Sequence, residues 1–196
     1  MSTNAILFDQ TLCIGCKACE QACQAEHDQP AHTATQLDQD SYTWVEDLGD
    51  DRYTRHLCMS CKHPTCVSVC PVAALVKHEE GPVTWDAARC IGCRYCMMAC
   101  PYKARSFIHQ NVEQQTLRSP RGKGCVESCN LCVHRIDAGA TTTACQDACD
   151  KDGHQAILFG DLRDPESALS KALREKSSRQ IRADLELNTG VRYTSL

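Results

Sequence analysis

The cysteines of this chain limit what it can fold into more than any other feature does. Sixteen of the 17 cysteines fall into four runs of four: Cys13, Cys16, Cys19, Cys23; Cys58, Cys61, Cys66, Cys70; Cys90, Cys93, Cys96, Cys100; and Cys129, Cys132, Cys145, Cys149. Runs one and three share the spacing C-x2-C-x2-C-x3-C, run two has one wider gap, and run four has 12 residues between its second and third cysteines. The repeated unit is therefore a set of four thiols.

The composition leaves few large side chains to fill an apolar core. Aromatic residues make up 5% of the 196 residues. We therefore expect metal–thiolate bonds to replace part of the core. The formal net charge is −4, without the basic excess that nucleic acids or anionic membranes attract, so no nucleic-acid partner is expected.

Three chemistries use thiols at this density. Disulfides fit badly, because the total is odd and cysteines so close in sequence are poorly placed to bridge one another. Zinc sites usually join one C-x2-C pair to a distant second pair. The run C-x2-C-x2-C-x3-C-P is the bacterial ferredoxin pattern, in which three thiolates hold one [4Fe–4S] cluster and the fourth holds the partner cluster. Pro71 and Pro101 complete this pattern, so it is favoured.

A crossed fourth ligand implies that the runs work in pairs. Runs two and three form the natural pair, which leaves runs one and four to meet in space. The predicted ligand sets are Cys13, Cys16, Cys19 and Cys149 for cluster 1; Cys129, Cys132, Cys145 and Cys23 for cluster 2; Cys58, Cys61, Cys66 and Cys100 for cluster 3; and Cys90, Cys93, Cys96 and Cys70 for cluster 4.

These pairs predict an α+β fold of two ferredoxin-like dicluster halves, one inserted in the other, with short helices, small β-hairpins and a C-terminal arm. Residues 1–57 and 101–160 would form the outer half, and residues 58–100 the inner half. Within the outer half, residues 24–57 and 101–124 carry no ligands and are expected to be excursions that dock onto other subunits. Residues 161–196 would form the C-terminal helix and arm.

The C-terminal segment has its own signals. Asp164, Pro165 and Glu166 are typical of a helix start, which predicts a helix through about Lys176 with Leu169 and Leu173 on one face. We expect the tail beyond it to pack on a partner, with a frayed end as the alternative.

At this point the chain resembles the four-cluster ferredoxin-type subunit of the complex iron–sulfur molybdoenzymes. That family includes the small subunits of dimethyl sulfoxide, polysulfide, tetrathionate and thiosulfate reductases, sulfite dehydrogenase and respiratory formate dehydrogenase. The resemblance covers about residues 4–163. Its most specific stretches are CIGCKACEQAC at 13–23, CMSCKHPTCVSVCPVAAL at 58–75, GPVTWDAARCIGCRYCMMACPY at 81–102 and CNLCVHRIDAG at 129–139.

The resemblance implies an electron-transfer subunit that is not an enzyme by itself. It implies four [4Fe–4S] clusters, because all sixteen positions are Cys, and two partners: a large molybdenum- or tungsten-pterin catalytic subunit and an integral membrane quinone-reactive anchor. The partner's substrate would be a sulfur compound such as sulfite or polysulfide. Gln24 and Asp150 stand where proline follows the inner runs, which weakens the expected geometry around Cys149.

Two alternatives remain open. The chain could serve a sulfur-cycle membrane complex without molybdenum, or it could be a free-standing soluble polyferredoxin. No nucleophile–base pair, phosphate loop or cluster with a missing cysteine indicates catalysis by the chain itself. No apolar run approaches a transmembrane helix, so we expect membrane association through partners, on the cytoplasmic side, with export alongside a signal-bearing partner as the alternative.

Several residues beside the ligand runs are candidates for adjusting cluster potentials: Lys17, Lys62, Arg94, His134 and Arg135. Cys125 stands outside the four runs. With Cys129 and Cys132 it spells C-x3-C-x2-C, the triplet of radical S-adenosylmethionine enzymes, but a chain with cysteines spread over residues 13–149 does not match the large βα barrel of that class. We therefore expect Cys125 to be a free thiol, with substitution for a neighbouring ligand as the lesser alternative.

Overall fold

The computed structural model describes residues 4–109 and 124–194, and its helices and strands are all short. In chain order they are β1 (Asn4–Phe8), α1 (Ala18–Glu26), β2 (Thr43–Asp47), β3 (Tyr53–Leu57), α2 (Thr65–Ser68), β4 (Leu75–Lys77), β5 (Val83–Trp85), α3 (Tyr95–Ala99), β6 (Ser106–Phe107), β7 (Val126–Glu127), α4 (Val133–Asp137), α5 (Ala144–Lys151), β8 (Ile157–Asp161), α6 (Ala168–Glu175), β9 (Ser178–Arg179), a 3-10 turn (Ala183–Leu185) and β10 (Val191–Thr194). The mixture of helices and small sheets agrees with the predicted α+β class.

Strand β1 lies inside a four-stranded sheet of order β8-β1-β10-β9. It runs antiparallel to β8 and parallel to β10, so that Ile6 lies opposite Phe159 on one side and Val191 on the other. Side chains alternate across a strand. Ile6 therefore faces the core that contains the thiols of runs one and four, whereas Ala5 and Leu7 face α6.

Helix α6 begins later than the sequence predicts. Its N-cap is Ser167, whose hydroxyl accepts a hydrogen bond from the Ser170 N–H at 3.1 Å. The Asp164 carboxylate instead accepts from the Glu166 N–H at 2.9 Å, which closes a turn before the helix. Asp164 and Ser167, three positions apart, can both act as caps. Asp164 stabilises the turn, which leaves Ser167 to cap the helix. Leu169, fully buried, packs the helix on β1.

The C-terminal segment folds back onto its own chain. Strand β10 inserts next to β1, and Val191 and Tyr193 are buried in the main core. The expectation of an arm held by a partner is therefore wrong for the described residues up to Thr194. The reason is the alternation of apolar side chains in Val191–Thr194, which suits a strand that covers a sheet edge.

Three two-stranded ribbons, β2–β3, β4–β5 and β6–β7, complete the sheets. The helices meet in two pairs: α1 packs against α5, and α2 packs against α3. Around them lie two thiol-lined cores. The larger includes Cys19, Cys145 and Cys149, and the smaller includes Cys66 and Cys96.

Part of the predicted docking excursion, residues 110–123, lies outside the described residues, as do 1–3 and 195–196. Within 4–109 and 124–194, no helix combines the length and apolar character needed to cross a membrane.

Candidate metal centres

All four C-x2-C loops share one backbone feature. The residue before the second cysteine has a positive φ in each loop, at Gly15 (+71°), Ser60 (+47°), Gly92 (+69°) and Leu131 (+58°). A left-handed residue costs energy unless it is glycine. The same loop geometry therefore recurs in all four runs, although glycine occupies only two of the four positions.

The two glycines are also required by close packing. A Cβ added at Gly15 would lie 2.3 Å from the ring of Tyr53 on β3, and a Cβ added at Gly92 would lie 2.4 Å from the carbonyl oxygen of Gly124. Runs one and three are thus each packed closely against a neighbouring segment, which is β3 for run one and Gly124, two residues before β7, for run three.

The thiols of runs one and four are neighbours. Burial raises the pKa of Cys13, and the charges of Cys149 and Cys16 raise it further. Burial also raises the pKa of Cys23 far above its usual value, with added repulsion from three thiols of run four: Cys129, Cys132 and Cys145. Cys149 thus lies near Cys13 and Cys16 of run one, and Cys23 lies near three thiols of run four.

In runs two and three, too, the last cysteine of each run lies near the thiols of the other run. Burial raises the pKa of Cys61 to about 12, and the charges of Cys58, Cys100 and Cys66 add to this increase. Burial raises the pKa of Cys96 to about 11, with contributions that include Cys90 and Cys70. Cys100 therefore lies beside the thiols of run two, and Cys70 beside those of run three.

The electrostatic neighbours of these thiols indicate a linear order of the four groups. Cys19 lies near Cys145, which joins the first group to the second. Cys129 lies near Cys58, which joins the second to the third. Cys66 lies near Cys96, which joins the third to the fourth.

Exposure differs along this line. Cys16 and Cys93 are the exposed members of the sixteen, and the others are buried or half-buried. The equivalent residues Ile14 and Ile91 beside them are also exposed, at 57% and 65%. The two ends of the line therefore reach the surface, each beside an exposed isoleucine.

Backbone N–H groups point at three of the crossing sulfurs. Ala74 donates to Cys70 Sγ at 3.3 Å, Ala104 donates to Cys100 Sγ at 3.4 Å, and Ala156 donates to Cys149 Sγ at 3.2 Å. Such hydrogen bonds stabilise a thiolate over a thiol. Cys149 thus has its donor even though Asp150 replaces the proline found after the inner runs.

The donor set fits iron–sulfur clusters. Soft sulfur ligands suit iron–sulfur chemistry, and crowding in a buried site opposes the deprotonation of several thiols unless a bound cation compensates. In residues 4–109 and 124–194, no group of three or more His, Cys, Asp or Glu side chains converges closely enough for a single metal ion.

Two buried arginines lie among the thiols, and sequence reasoning missed both. Arg55 on β3 is 1% exposed and Arg105 before β6 is 3% exposed. Arg105 Nη2 donates to Cys66 Sγ at 3.7 Å. Arg55 lies three residues before Cys58 and Arg105 five residues after Cys100, and this closeness to a ligand run was the only signal that the sequence offered.

The five residues predicted to adjust cluster potentials have different surroundings. Lys62 and Arg94 are exposed, and Lys17 is half-buried with a left-handed backbone at the start of α1. His134 Nε2 lies 2.8 Å from Glu26 Oε1, and Arg135 Nη2 lies 2.6 Å from Asp147 Oδ2. The last two side chains thus each have a carboxylate partner, and the effect of all five on cluster potentials stays a prediction.

Cys125 is buried, and its Sγ lies 3.3 Å from the carbonyl oxygen of Ala87 in hydrogen-bonding geometry. Burial raises its pKa to about 11, and the adjacent Cys90 adds to that increase. The thiol therefore has a partner of its own beside a predicted ligand.

The sequence matches the 4Fe-4S dicluster domain family twice, over residues 12–75 and over residues 50–161. Two such domains and four cysteine quartets correspond to four [4Fe–4S] clusters. The predicted cofactor is thereby confirmed.

Several curated proteins are similar to this chain. The Hdr-like menaquinol oxidoreductase iron-sulfur subunit 1 of Archaeoglobus fulgidus is 42% identical over 74% of this chain and 57% of its own length. The tetrathionate reductase B subunit of Salmonella typhimurium is 37% identical over 87% and 63%, respectively. The polysulfide reductase B chain of Wolinella succinogenes is 35% identical over 87% and 83%. The sequence described here thus spans less than two thirds of the first and second of these relatives.

The first relative is named as an iron–sulfur subunit of an oxidoreductase, and the other two are named as B subunits of reductases. The predicted resemblance is confirmed, and so is the predicted class, an iron–sulfur electron-transfer subunit of an oxidoreductase. From the two dicluster matches and these similarities, the chain belongs to the 4Fe-4S dicluster family of iron–sulfur electron-transfer subunits.

Proposed function

We propose that this chain relays single electrons between two partner subunits through four clusters in the order 1, 2, 3, 4. The observation that carries the proposal is the line of thiol groups with exposed ends, at Cys16 and at Cys93. A relay needs access for partners at both ends and insulation between them.

The proposed ligand sets are the four predicted from the sequence. They are supported by the position of the fourth cysteine of each run, which lies near the thiols of the paired run: Cys23 and Cys149 in the outer half, and Cys70 and Cys100 in the inner half. The packing of α1 on α5 and of α2 on α3 also supports them, since it brings the paired runs together.

When bound, the clusters supply one-electron redox chemistry. The chain holds them through its thiolates, and backbone N–H groups orient and stabilise crossing sulfurs such as those of Cys70 and Cys100. Ile6, Leu57 and Val191 in the larger core keep water away from the inner positions, since each is at most 1% exposed. Low solvent exposure is one of the protein's means of setting a cluster's potential.

We further propose that one partner is a molybdenum- or tungsten-pterin catalytic subunit acting on a sulfur compound, and that the other is a quinone-reactive membrane subunit. The polysulfide and tetrathionate reductase relatives support this choice. The chain would then be membrane-associated through its partners, on the cytoplasmic side.

A second candidate is a menaquinol-linked complex without molybdenum. The Archaeoglobus fulgidus relative, named as a subunit of a menaquinol oxidoreductase, supports the menaquinol link with 42% identity over 160 residues. A free-standing polyferredoxin is the remaining alternative, and burial of the exposed ends by a stable partner would contradict it.

For the domain division, we propose an inner half at 58–100 and an outer half built from 1–57 and 101–160, with 161–196 completing the outer sheet. The ribbon β6–β7 would sit on the inner half, because Phe107 and Val126 pack in the smaller core with Leu75 and Val83.

Anaerobic isolation from the native source tests the proposal. Iron and acid-labile sulfide are counted per chain, and molybdenum and tungsten are assayed in the same sample. We expect about sixteen iron per chain with a pterin metal and a large co-purifying subunit. About sixteen iron with a large partner but no pterin metal would favour the menaquinol-linked complex, and four zinc without iron would overturn the cluster assignment.

A further inference from the structure

Two guanidinium groups are buried without a carboxylate partner among the described residues. Arg55 and Arg105 are at most 3% exposed, and the Nη1 atom of each is buried with no hydrogen-bond partner in that part of the chain. A buried cation is stable only where negative charge compensates it. The thiolates and the clusters they bind are the anions available.

Arg55 lies between the two groups of the outer half. Its Nε donates to Thr43 Oγ1 at 2.8 Å, which fixes the guanidinium on the β2–β3 ribbon. Its charged neighbours are Cys145, Cys19 and Cys129. Cys19 belongs to proposed set 1, whereas Cys129 and Cys145 belong to set 2.

Arg105 holds the corresponding place in the inner half. Nη2 donates to Cys66 Sγ at 3.7 Å. Its charged neighbours are Cys58, Cys66 and Cys96. Cys58 and Cys66 belong to proposed set 3 and Cys96 to set 4, so this guanidinium also lies between two sets.

We propose that Arg55 and Arg105 are potential-setting residues, each serving as the shared counter-ion of two neighbouring clusters. Arg55 would serve clusters 1 and 2, and Arg105 would serve clusters 3 and 4. This inference rests on the proposed ligand sets.

The physical reason is charge. Reduction adds one negative charge to a cluster, and a fixed cation nearby stabilises the reduced form and raises the potential. Because one guanidinium faces two clusters, its removal lowers the potentials of both. The two arginines have different neighbours, so the affected pairs do not overlap.

The residues predicted from the sequence to adjust cluster potentials should have weaker effects on those potentials than Arg55 and Arg105. Arg94 is exposed and stacks over the Phe107 ring at 3.7 Å, where water screens its charge. The charge of Arg135 is largely met by Asp147. Arg94 thus provides a matched control: it is also an arginine close to a ligand cysteine, but it lies at the surface.

The test is anaerobic redox titration followed by electron paramagnetic resonance on the assembled protein, after iron has been counted. We expect Arg105→Met to shift the reduction equilibrium of two clusters by at least about tenfold, which is about 59 mV for a one-electron couple. Arg55→Met should shift the reduction equilibria of the other two clusters by a similar factor. Arg94→Met should shift the equilibrium of any cluster by less than about threefold, which is less than half of the shift of about 59 mV. Arg105→Lys keeps the charge and should retain most of the wild-type potential.

Unchanged potentials in both methionine variants at full iron content would overturn the inference while the relay function stands. An equal shift in Arg94→Met would also overturn the inference, because an exposed arginine would then affect the cluster potential as strongly as a buried one. A protein that binds no clusters would instead overturn the proposed function, and this inference with it.

A second measurement covers variants that fail to assemble. Wild-type protein is labelled with 15N at the arginine guanidinium groups, and electron spin echo spectra of the reduced clusters are recorded. A 15N coupling that weakens in Arg105→Lys is expected from the contact with Cys66 Sγ. The absence of coupling in the labelled wild type would contradict the inference.

Discussion

The hydroxyl of Tyr193 donates a hydrogen bond to the backbone carbonyl oxygen of Arg55 at 2.5 Å. Both residues are at most 1% exposed, and 138 positions separate them in sequence. This contact joins the last described strand of the chain to the strand that carries a buried cation. The C-terminal segment therefore helps to build the surroundings of the thiols in the larger core.

Tyr193→Phe should lower stability. The change removes a buried donor and leaves the Arg55 carbonyl without that partner, at a cost of about 1–3 kcal/mol. The measurement is the urea concentration at which cluster absorbance is half lost under anaerobic conditions. Tyr95→Phe is the control, since the Tyr95 side chain is 53% exposed, and its effect should stay within about 0.5 kcal/mol. Equal midpoints for Tyr193→Phe and wild type would contradict the role of this contact.

Ser60→Gly should raise stability. Ser60 has a φ of +47°, and its buried hydroxyl has no hydrogen-bond partner in the described part of the chain. Glycine relieves a left-handed strain of roughly 1–2 kcal/mol and removes the unpaired hydroxyl. The rate of cluster loss on heating reports the change and should fall.

Gly92→Ala makes the reverse change at the equivalent loop position of run three and should lower stability, since its new Cβ would lie 2.4 Å from a backbone carbonyl oxygen. We expect faster cluster loss in that variant. The account of the C-x2-C loop would be wrong if alanine at 92 were harmless or if glycine at 60 accelerated the loss.

The Asp9 carboxylate should make stability depend on pH. Burial acts to raise its pKa, but hydrogen bonds from Lys176, Thr11 and Thr194 together hold the pKa below the usual 3.8. The ionised form therefore stabilises the fold fully above about pH 4, and this contribution is lost as the pH falls through the folded-state pKa.

Asp9→Asn removes this contribution, at a cost of about 1–3 kcal/mol near neutral pH. The difference in unfolding midpoint between Asp9→Asn and wild type should shrink as the pH drops below about 4. Acid causes cluster loss in both proteins alike, so the measured quantity is the difference between their unfolding midpoints. Asp50→Asn, whose side chain is 92% exposed, serves as control. A difference that grows at low pH would refute the assignment.

Cys125→Ala should keep the full iron content. The Cys125 thiol already has the Ala87 carbonyl as a partner at 3.3 Å, and sixteen other cysteines form the four predicted sets. Cys90→Ala, the neighbouring ligand, should lose iron or convert one cluster to a three-iron form. Iron analysis together with electron paramagnetic resonance separates these outcomes. Loss of about four iron in Cys125→Ala would make Cys125 a ligand.

Ile91→Lys should slow electron transfer to the partner at the Cys93 end. Ile91 is 65% exposed beside an exposed thiol, and burying a lysine in an apolar contact weakens association by about tenfold or more. The measurement is the reoxidation rate of the reduced protein mixed with the isolated partner. Leu48→Lys, at a residue 45% exposed after β2, is the control. Equal rates for both variants would place the partner elsewhere.

The amino-acid sequence by itself determined the number of thiol sets, the cofactor and the family. Thiol spacing within a run is local, so CIGCKAC and CIGCRYC identify their chemistry without reference to the rest of the fold. The α+β class followed from the same runs, because short loops with four ligands leave room only for short helices and ribbons. The number of cysteines also limited the possible pairings.

Only the tertiary structure decided what depends on contacts between distant residues. Arg55 and Arg105 look like ordinary charged residues in the sequence, yet folding buries them among thiols from two runs. The return of Val191–Thr194 to β1 is of the same kind. Each depends on which surfaces meet after the chain has closed long loops, and a local pattern carries no information about that choice.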